Sequence, residues 1–288
     1  ISTNNDSAYI VSQELNKAGA NVTLLDARAT LPNHLTKKIT SQGIELISSA
    51  AVSEAIGRGM VSKIKFAKIG DDKWNNQGEK SCDLLLVSGG WSPVINLISH
   101  RGSKAKWDEK NSCFLPGYTE EPIESIGSSQ GIWETEDCIK SGINVKDTLE
   151  ETMPPSSKQY KVNIHKGWKN PIFPLYEVNV NTTKKSFVDL QHDVTTKDIH
   201  VAHQEGFVSV EHLKRYTTLG MATDQGKMGN VLGIALMAKA LNTTIANFGT
   251  TTYRPPYTPI SLGALAGRNI NNHFRPLRRT PMDEWNLR

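Results

Sequence analysis

The run Cys82-Asp83-Leu84-Leu85-Leu86-Val87-Ser88 is apolar without interruption from Leu84 to Val87 and closes on Gly89-Gly90. A continuous apolar run ended by glycines predicts a strand covered on both faces, as in a layered α/β domain. Working outward, residues 6–18 place Ala8, Val11, Leu15 and Ala18 on a helical period, with Asp6 or Ser7 suited to the N-cap and Gly19 to the C-cap. Val22-Thr23-Leu24-Leu25-Asp26 reads as a buried strand and Gly43-Ile44-Glu45-Leu46-Ile47 as the next short one. Residues 52–55 and 61–69 predict an antiparallel excursion. Together these signals make residues 1–145 an α/β unit.

The chain has 288 residues, a formal net charge of +4 and 38% hydrophobic residues. That length suggests about two domains, and the composition excludes a wholly disordered chain. There is neither a run of about 18 apolar residues to cross a membrane nor a visible signal peptide. The 33 basic and 29 acidic residues nearly cancel, which argues against nucleic acid as a partner. Cys82, Cys113 and Cys138 form no C-x-x-C and no disulfide framework, so a reducing, cytoplasmic setting and no thiolate metal site are expected. His192, His200, His203 and His212 cluster in sequence without a metal-ligand pattern, the six tryptophans are scattered, and no nucleophile signature occurs. Ile1 opens on what reads as a strand already under way. Arg278-Arg279-Thr280-Pro281 reads as the opening of a further element, so we expect an internal stretch of a longer polypeptide.

Met153-Pro154-Pro155 punctuates a linker, and Asn170-Pro171-Ile172-Phe173-Pro174 continues irregular chain. Thr195-Thr196-Lys197-Asp198 has the form of a capping box and predicts a helix to about Glu205, stopped by Gly206. Residues 210–216 and 227–241 predict two more helices, so 188–245 reads as a small all-helical unit. Three prolines in Pro255-Pro256-Tyr257-Thr258-Pro259 forbid a helix there.

A dinucleotide-binding βαβ unit carries G-x-G-x-x-G between strand and helix and an acid about 20 residues on. Here the turn is Thr3-Asn4-Asn5-Asp6-Ser7-Ala8, with Asp26 ending the next strand. Side chains at Thr3 and Asn5 obstruct the approach of a pyrophosphate, and Asp6 opposes an anion at the helix N-terminus. Two readings stand: a modified nucleotide site, or a retained scaffold whose pocket no longer binds. The residues favour the second. Residues 84–93 resemble the closing strand of the second domain of disulfide-reductase-type flavoproteins. There a later Ala-Gly-Asp touches the cofactor. Ile126-Gly127-Ser128-Ser129-Gln130-Gly131 stands in that place here, with Ser128 in place of the acid.

Three runs carry a wider resemblance: Phe187-Val188-Asp189-Leu190-Gln191-His192-Asp193-Val194-Thr195, the stretch from Glu211 through Thr218 and Asp224 to Lys227, and Gly249-Thr250-Thr251-Thr252-Tyr253-Arg254-Pro255-Pro256-Tyr257-Thr258-Pro259. With the Asn-Asn-Asp-Ser-Ala-Tyr turn and Val-Ser-Gly-Gly-Trp-Ser-Pro, they resemble the alpha subunit of heterotetrameric sarcosine oxidase over essentially the whole chain. The resemblance implies four parts: a dinucleotide-type domain at 1–148, a linker at 149–186, a helical domain at 187–247, and a connector at 248–288 leading to an aminomethyltransferase-like, folate-handling domain. The implied fold is a three-layer Rossmann-like domain followed by a helical domain like that of bacterioferritin-associated ferredoxin. That ferredoxin domain uses C-x-C and C-Q-G-x-x-C. Asp189, Gln191, Asp224 and Gly229 stand at those positions, so no iron–sulfur cluster is expected.

The resemblance further implies a flavin mononucleotide (FMN) at the interface with a flavin-bearing beta subunit, small subunits in the same complex, and a partial NAD site at Gly127, Ser128 and Gly131. Lys214, Arg215, Thr217 and Thr218 offer charge and hydroxyls suited to a phosphate or ribityl chain. Asp224, Gln225, Gly226 and Lys227 precede the third helix, whose N-terminus favours an anion, although Asp224 also suits that helix's N-cap and Lys214 and Arg215 also suit a solvated face. Thr251 and Arg254 lie on a strap at 250–259 that either borders the flavin or is structural only. The implied activity is oxidative demethylation of sarcosine with oxygen and tetrahydrofolate, with no amine-oxidising base in this chain. An assembly module without cofactor contact, or a subunit of a related amino-acid or opine dehydrogenase, are the alternatives. The missing cysteines count against the dehydrogenase.

Overall fold

The computed structural model describes residues 1–70, 73–148, 172–180, 184–268 and 281–287. A parallel four-stranded sheet organises the first unit. Its strands are β1 (Ser2–Thr3), β2 (Thr23–Asp26), β3 (Glu45–Ser48) and an edge strand at Val87–Ser88, in the order β3, β2, β1, edge. Between β1 and β2 runs α1 (Ser7–Lys17), and between β2 and β3 runs α2 (Asn33–Thr40). Three antiparallel strands follow β3: β4 (Ala50–Gly57), β5 (Val61–Gly70) and β6 (Lys73–Ser81), in that order. The edge strand Val87–Ser88 is then β7, pairing Ser2 with Val87 and Thr3 with Ser88.

Alternation along β2 decides the layering. Leu24 faces the helices and packs with Ala8, Tyr9, Ile39 and Ile44. Leu25 points the other way, into Ala50, Ile64 and Phe66 of the antiparallel strands. Successive strand side chains point to opposite faces, so a strand with apolar residues at both is buried between layers. The three layers are therefore helices, parallel sheet and antiparallel sheet.

Several expectations change. The run 82–88 is not a long strand covered on both faces: only Val87–Ser88 pairs, Leu84 is 61% exposed and Val87 72%. Among the described residues it has a neighbour on one side only, β1, so the apolar run meets no second described strand. On α1, Val11 is exposed and the inward face is Ala8, Tyr9 and Ser12. Asp6 is the N-cap residue by position, but its side chain makes no cap hydrogen bond. The excursion has a third strand, β6, which the sequence reading lacked.

The α/β unit continues through α3 (Asn96–His100), the antiparallel pair β8 (Lys106–Asp108) and β9 (Cys113–Leu115), a 3₁₀ turn at Gly127–Gln130, and α4 (Thr135–Thr148). The proline punctuation at 153–155 and Asn170-Pro171 lie outside the described residues.

The second unit is not all-helical. It opens with an antiparallel hairpin, β10 (Phe187–Asp189) and β11 (Val194–Thr195). Helices α5 (Thr196–Gln204), α6 (Val210–Thr217) and α7 (Asn230–Ala240) follow. The capping box at α5 is present: Thr195 and Asp198 bond reciprocally. Helix α7 starts three residues later than the sequence suggested. Its N-cap is Gly229, so Asp224 does not cap it. The core of this unit is Val188, Val194, Ile199, Ala202, Leu213, Leu219, Leu236 and Met237. Ile234 on α7 joins Ile95, Ile98 and Phe114, packing the second unit against the α3–β9 region. The short α8 (Ile245–Phe248) leads to the proline-rich strap, which has no regular structure, then come α9 (Leu262–Ala266) and α10 (Asp283–Asn286). No described helix is long and apolar enough to cross a membrane.

Candidate functional site

Of the four positions at which the ferredoxin-like resemblance implies thiolates, the two on the hairpin meet the loop that carries the other two. A Cβ on Gly229 would stand 3.5 Å from the Asp189 Cβ, and Thr223 donates to Gln191 Oε1 at 3.3 Å, one residue from Asp224. Asp189 is buried and its carboxylate is fully engaged. Oδ1 accepts from the Gln191 and His192 amides at 2.8 and 3.3 Å, and Oδ2 from the Gly220 amide at 3.2 Å. It thereby ties the hairpin to the α6–α7 loop. Asp224 Oδ1 accepts from the Gly226 amide, and Asn230 Nδ2 donates to the Gln225 carbonyl. Gly220 and Gly226 both adopt positive φ against the Asn230 amide, where a Cβ would lie 2.3 and 2.1 Å from Asn230 Oδ1. Among the described residues no group of three or more His, Cys, Asp or Glu could hold a metal.

The expected phosphate-binding residues divide. Thr217 Oγ1 donates to the Leu213 carbonyl, and Thr218, in a left-handed conformation at φ 62°, donates to the Thr217 carbonyl. Arg215 pairs with Glu211 one turn back, at 2.7 Å, an i,i+4 pair whose spacing is visible in the sequence. Lys227 donates to the Tyr257 carbonyl at 2.9 Å, and its ammonium lies 4.1 Å from the Tyr257 ring centroid. These four side chains are held by the protein itself. Helix α7 starts at Asn230, and the Gly226 carbonyl already takes up its first amide at 2.9 Å.

Lys214 and Arg254 are different. Lys214 is half-buried, and burial pushes its pKa down. Glu211 works against that shift, while the charges of Arg254 and Arg215 add to it. Of the like charges that act on Lys214, Arg215 is already paired with Glu211, and Arg254 is exposed on the strap. Thr251 on the same strap is buried. Tyr253 packs with Ile95, Ile98 and Phe114 and meets Tyr257 edge-on at 5.0 Å. Burial pushes its pKa up to about 12. The strap thus bridges the two units.

Gly127 opens the 3₁₀ turn and is buried, with its amide donating to Ser141 Oγ at 3.0 Å. Ser128 is exposed, and Gly131 closes the turn at φ 72°. Trp91 and Trp133, read as scattered, pair at 6.5 Å beside this turn. Two cavities of about 630 and 670 Å³ lie elsewhere, one beneath Ile1 and Leu84 and the other between β4 and the hairpin, and neither is lined by these residues.

At the β1–α1 turn, Thr3, Asn4, Asn5, Asp6 and Ser7 are all buried. Arg28 binds Asp6 at 2.7 Å and Asp26 at 2.8 Å, and Tyr9 donates to Asp26 at 2.9 Å. Arg28, which the sequence reading did not single out, is the hub of this network.

The architecture and the hairpin-plus-helix unit define the class. The sheet order is that of a dinucleotide-binding fold, and residues 183–268 match the sarcosine oxidase A3 domain. Over 289 aligned residues the chain is 36% identical to sarcosine oxidase subunit alpha of Rhizobium meliloti, covering 99% of this chain and 28% of that protein. It is 32% identical to the subunit of the same name from Corynebacterium sp. strain P-1, over 100% of this chain and 31% of that protein. Sarcosine oxidase alpha subunit homologues therefore cover the whole chain, which spans less than a third of their length. Their names point to part of an oxidoreductase complex with more than one subunit. L-proline dehydrogenase from P. horikoshii shares the fold at a TM-score of 0.56 and 17% identity, over 85% of this chain and 50% of that one.

Proposed function

We propose that this chain is part of the alpha subunit of a sarcosine oxidase. The carrying observation is the alignment with sarcosine oxidase alpha subunits along its whole length. The complete enzyme would take sarcosine, oxygen and tetrahydrofolate to glycine, hydrogen peroxide and methylenetetrahydrofolate. Bound flavin would supply the electron acceptor that oxygen reoxidises. The role of this chain is to wall FMN at the interface with a beta subunit, alongside the small subunits. Lys214 and Arg254 would hold the phosphate by charge, and Thr251 on the same strap would border it. Lys227, Arg215, Thr217, Thr218, Asp224, Gln225 and Gly226 would shape the wall and keep water out rather than reach the phosphate directly. Gly127, Ser128 and Gly131 would border a partial NAD site. No iron–sulfur cluster is proposed, because Asp189, Gln191, Asp224 and Gly229 supply no thiolate. The reducing chemistry of three unpaired cysteines supports a cytoplasmic setting.

A second reading, an assembly module without cofactor contact, is favoured by the internal partners of Arg215, Thr217 and Lys227. Lys214→Gln and Arg254→Gln in the assembled enzyme separate the two. Under the first reading, FMN per complex and peroxide formed per sarcosine both fall by half or more. Unchanged flavin content and turnover would leave the assembly reading.

A further inference from the structure

We infer that the nucleotide crevice of the α/β unit is closed by the chain's own side chains and by Ile172–Phe173, so that no dinucleotide seats at its β1–α1 turn. In open α/β sheets a dinucleotide lies outside the carboxyl ends of the strands. Its pyrophosphate sits on the first helix N-terminus and an acid at the end of the second strand takes the ribose. Each of those three places is filled here.

Asn5 fills the first. It is 1% exposed and folds back into the turn. Its Oδ1 accepts from the Ser7 amide at 3.0 Å and from Ser7 Oγ at 2.6 Å, which consumes a first-turn N–H that a phosphate would need. Its Nδ2 donates to the Ser88 carbonyl and Ser88 Oγ. The Tyr9 amide is likewise consumed, by the Asp6 carbonyl at 3.2 Å.

Asp26 fills the second. It is the acid at the end of β2 and is fully buried. Its oxygens accept from the Arg28 amide, from Arg28 Nε and Nη2, and from the Tyr9 hydroxyl. A carboxylate so engaged has no lone pair directed at a ribose.

The third place is the crevice mouth. Phe173 donates its amide to the Asn4 carbonyl at 3.0 Å, and Asn4 Nδ2 donates to the Phe173 carbonyl at 2.8 Å and to the Gly89 carbonyl at 3.1 Å. Ile172 Cδ1 lies 3.2 Å from where a Cβ on Gly90 would stand. The chain thus lays its own backbone across the ends of β1 and β7.

This inference stands apart from the proposed flavin wall and from the partial NAD site at Gly127. Its test is photolabelling of the intact complex with 8-azido-adenine NAD⁺, followed by peptide mapping. Any adduct is expected outside residues 1–28 and 88–93. An adduct within them that excess NAD⁺ competes away would overturn the inference. Arg28→Lys and Asn4→Ala give a second readout. The melting temperature is expected to fall while the NADH dissociation constant of the complex stays within twofold of the parent value. A tenfold weakening of NADH binding at unchanged melting temperature would also overturn it. Where Arg28→Lys does not fold, Asn4→Ala carries the same comparison.

Discussion

Arg28 Nη1 lies 2.7 Å from Asp6 Oδ1, an ion pair that ties the end of β2 to the start of α1 across 22 residues of sequence. Both side chains are nearly excluded from solvent, and Arg28 also holds the fully buried Asp26. Replacing Arg28 by Met removes the guanidinium that two buried carboxylates share. Removing one partner of a buried pair typically costs about 3–5 kcal/mol. Urea denaturation of Arg28→Met should show a loss of that size, and a loss below about 1 kcal/mol would mean that water reaches the network.

Asp189 makes a comparable joint in the second unit. One carboxylate takes three backbone amides, one of them 31 residues away at Gly220. Asp189→Ala leaves the buried Gly220 amide without its acceptor and frees the Gln191 and His192 amides nearer the surface; hydrogen bonds to a charged group are worth about 1.5–3 kcal/mol. Hydrogen exchange should speed up at Gln191, His192 and Gly220 together. Acceleration at Gln191 and His192 alone would mean that the hairpin and the α6–α7 loop are not coupled through this side chain.

The capping box at α5 gives a pH-dependent prediction. Hydrogen bonds from Thr195 hold the Asp198 carboxyl below its usual range. A carboxyl depressed in the folded state stabilises above its unfolded pKa of about 3.9, and that stabilisation disappears as pH falls through the folded value. Thr195→Ala should therefore cost about 1 kcal/mol at pH 7 and less at pH 2–3. An equal cost at both pH values would show that the carboxylate does not take part.

The features that could be read directly from sequence were those fixed by near neighbours. The β2 strand, the Thr195–Asp198 box and the helix at 210–217 each rest on residues within a few positions of one another. Strand β6, Lys73–Ser81, escaped because Lys-Trp-Asn-Asn-Gln-Gly-Glu-Lys-Ser has almost no apolar alternation. It is held by its ladder to β5. The run at 82–88 was over-read for the opposite reason: its apolarity says nothing of whether a second strand lies alongside. Asp189 stood out only as a missing thiolate, because its partner at Gly220 is invisible to local pattern. Lys227 and Tyr257 are likewise 30 residues apart, so a cation that looked available was already paired.

Gly226 is the position where backbone and packing constrain the candidate site most tightly. Its φ of 73° lies in the left-handed region, and a Cβ there would stand 2.1 Å from Asn230 Oδ1. Asn230 cannot simply withdraw, because its Nδ2 is bonded to the Gln225 carbonyl and the residue is 7% exposed. Gly226→Ala combines the left-handed penalty of about 1–2 kcal/mol with overpacking of about 1–3 kcal/mol. Chemical denaturation should therefore show a loss of at least about 2 kcal/mol. Gly206→Ala is a useful control: it also has positive φ, at 85°, but no atom lies within 4 Å of its built Cβ. It should lose only the backbone part. Equal losses at the two glycines would mean that the loop yields around Asn230, and that Asp224–Lys227 is more pliable than its hydrogen bonds imply.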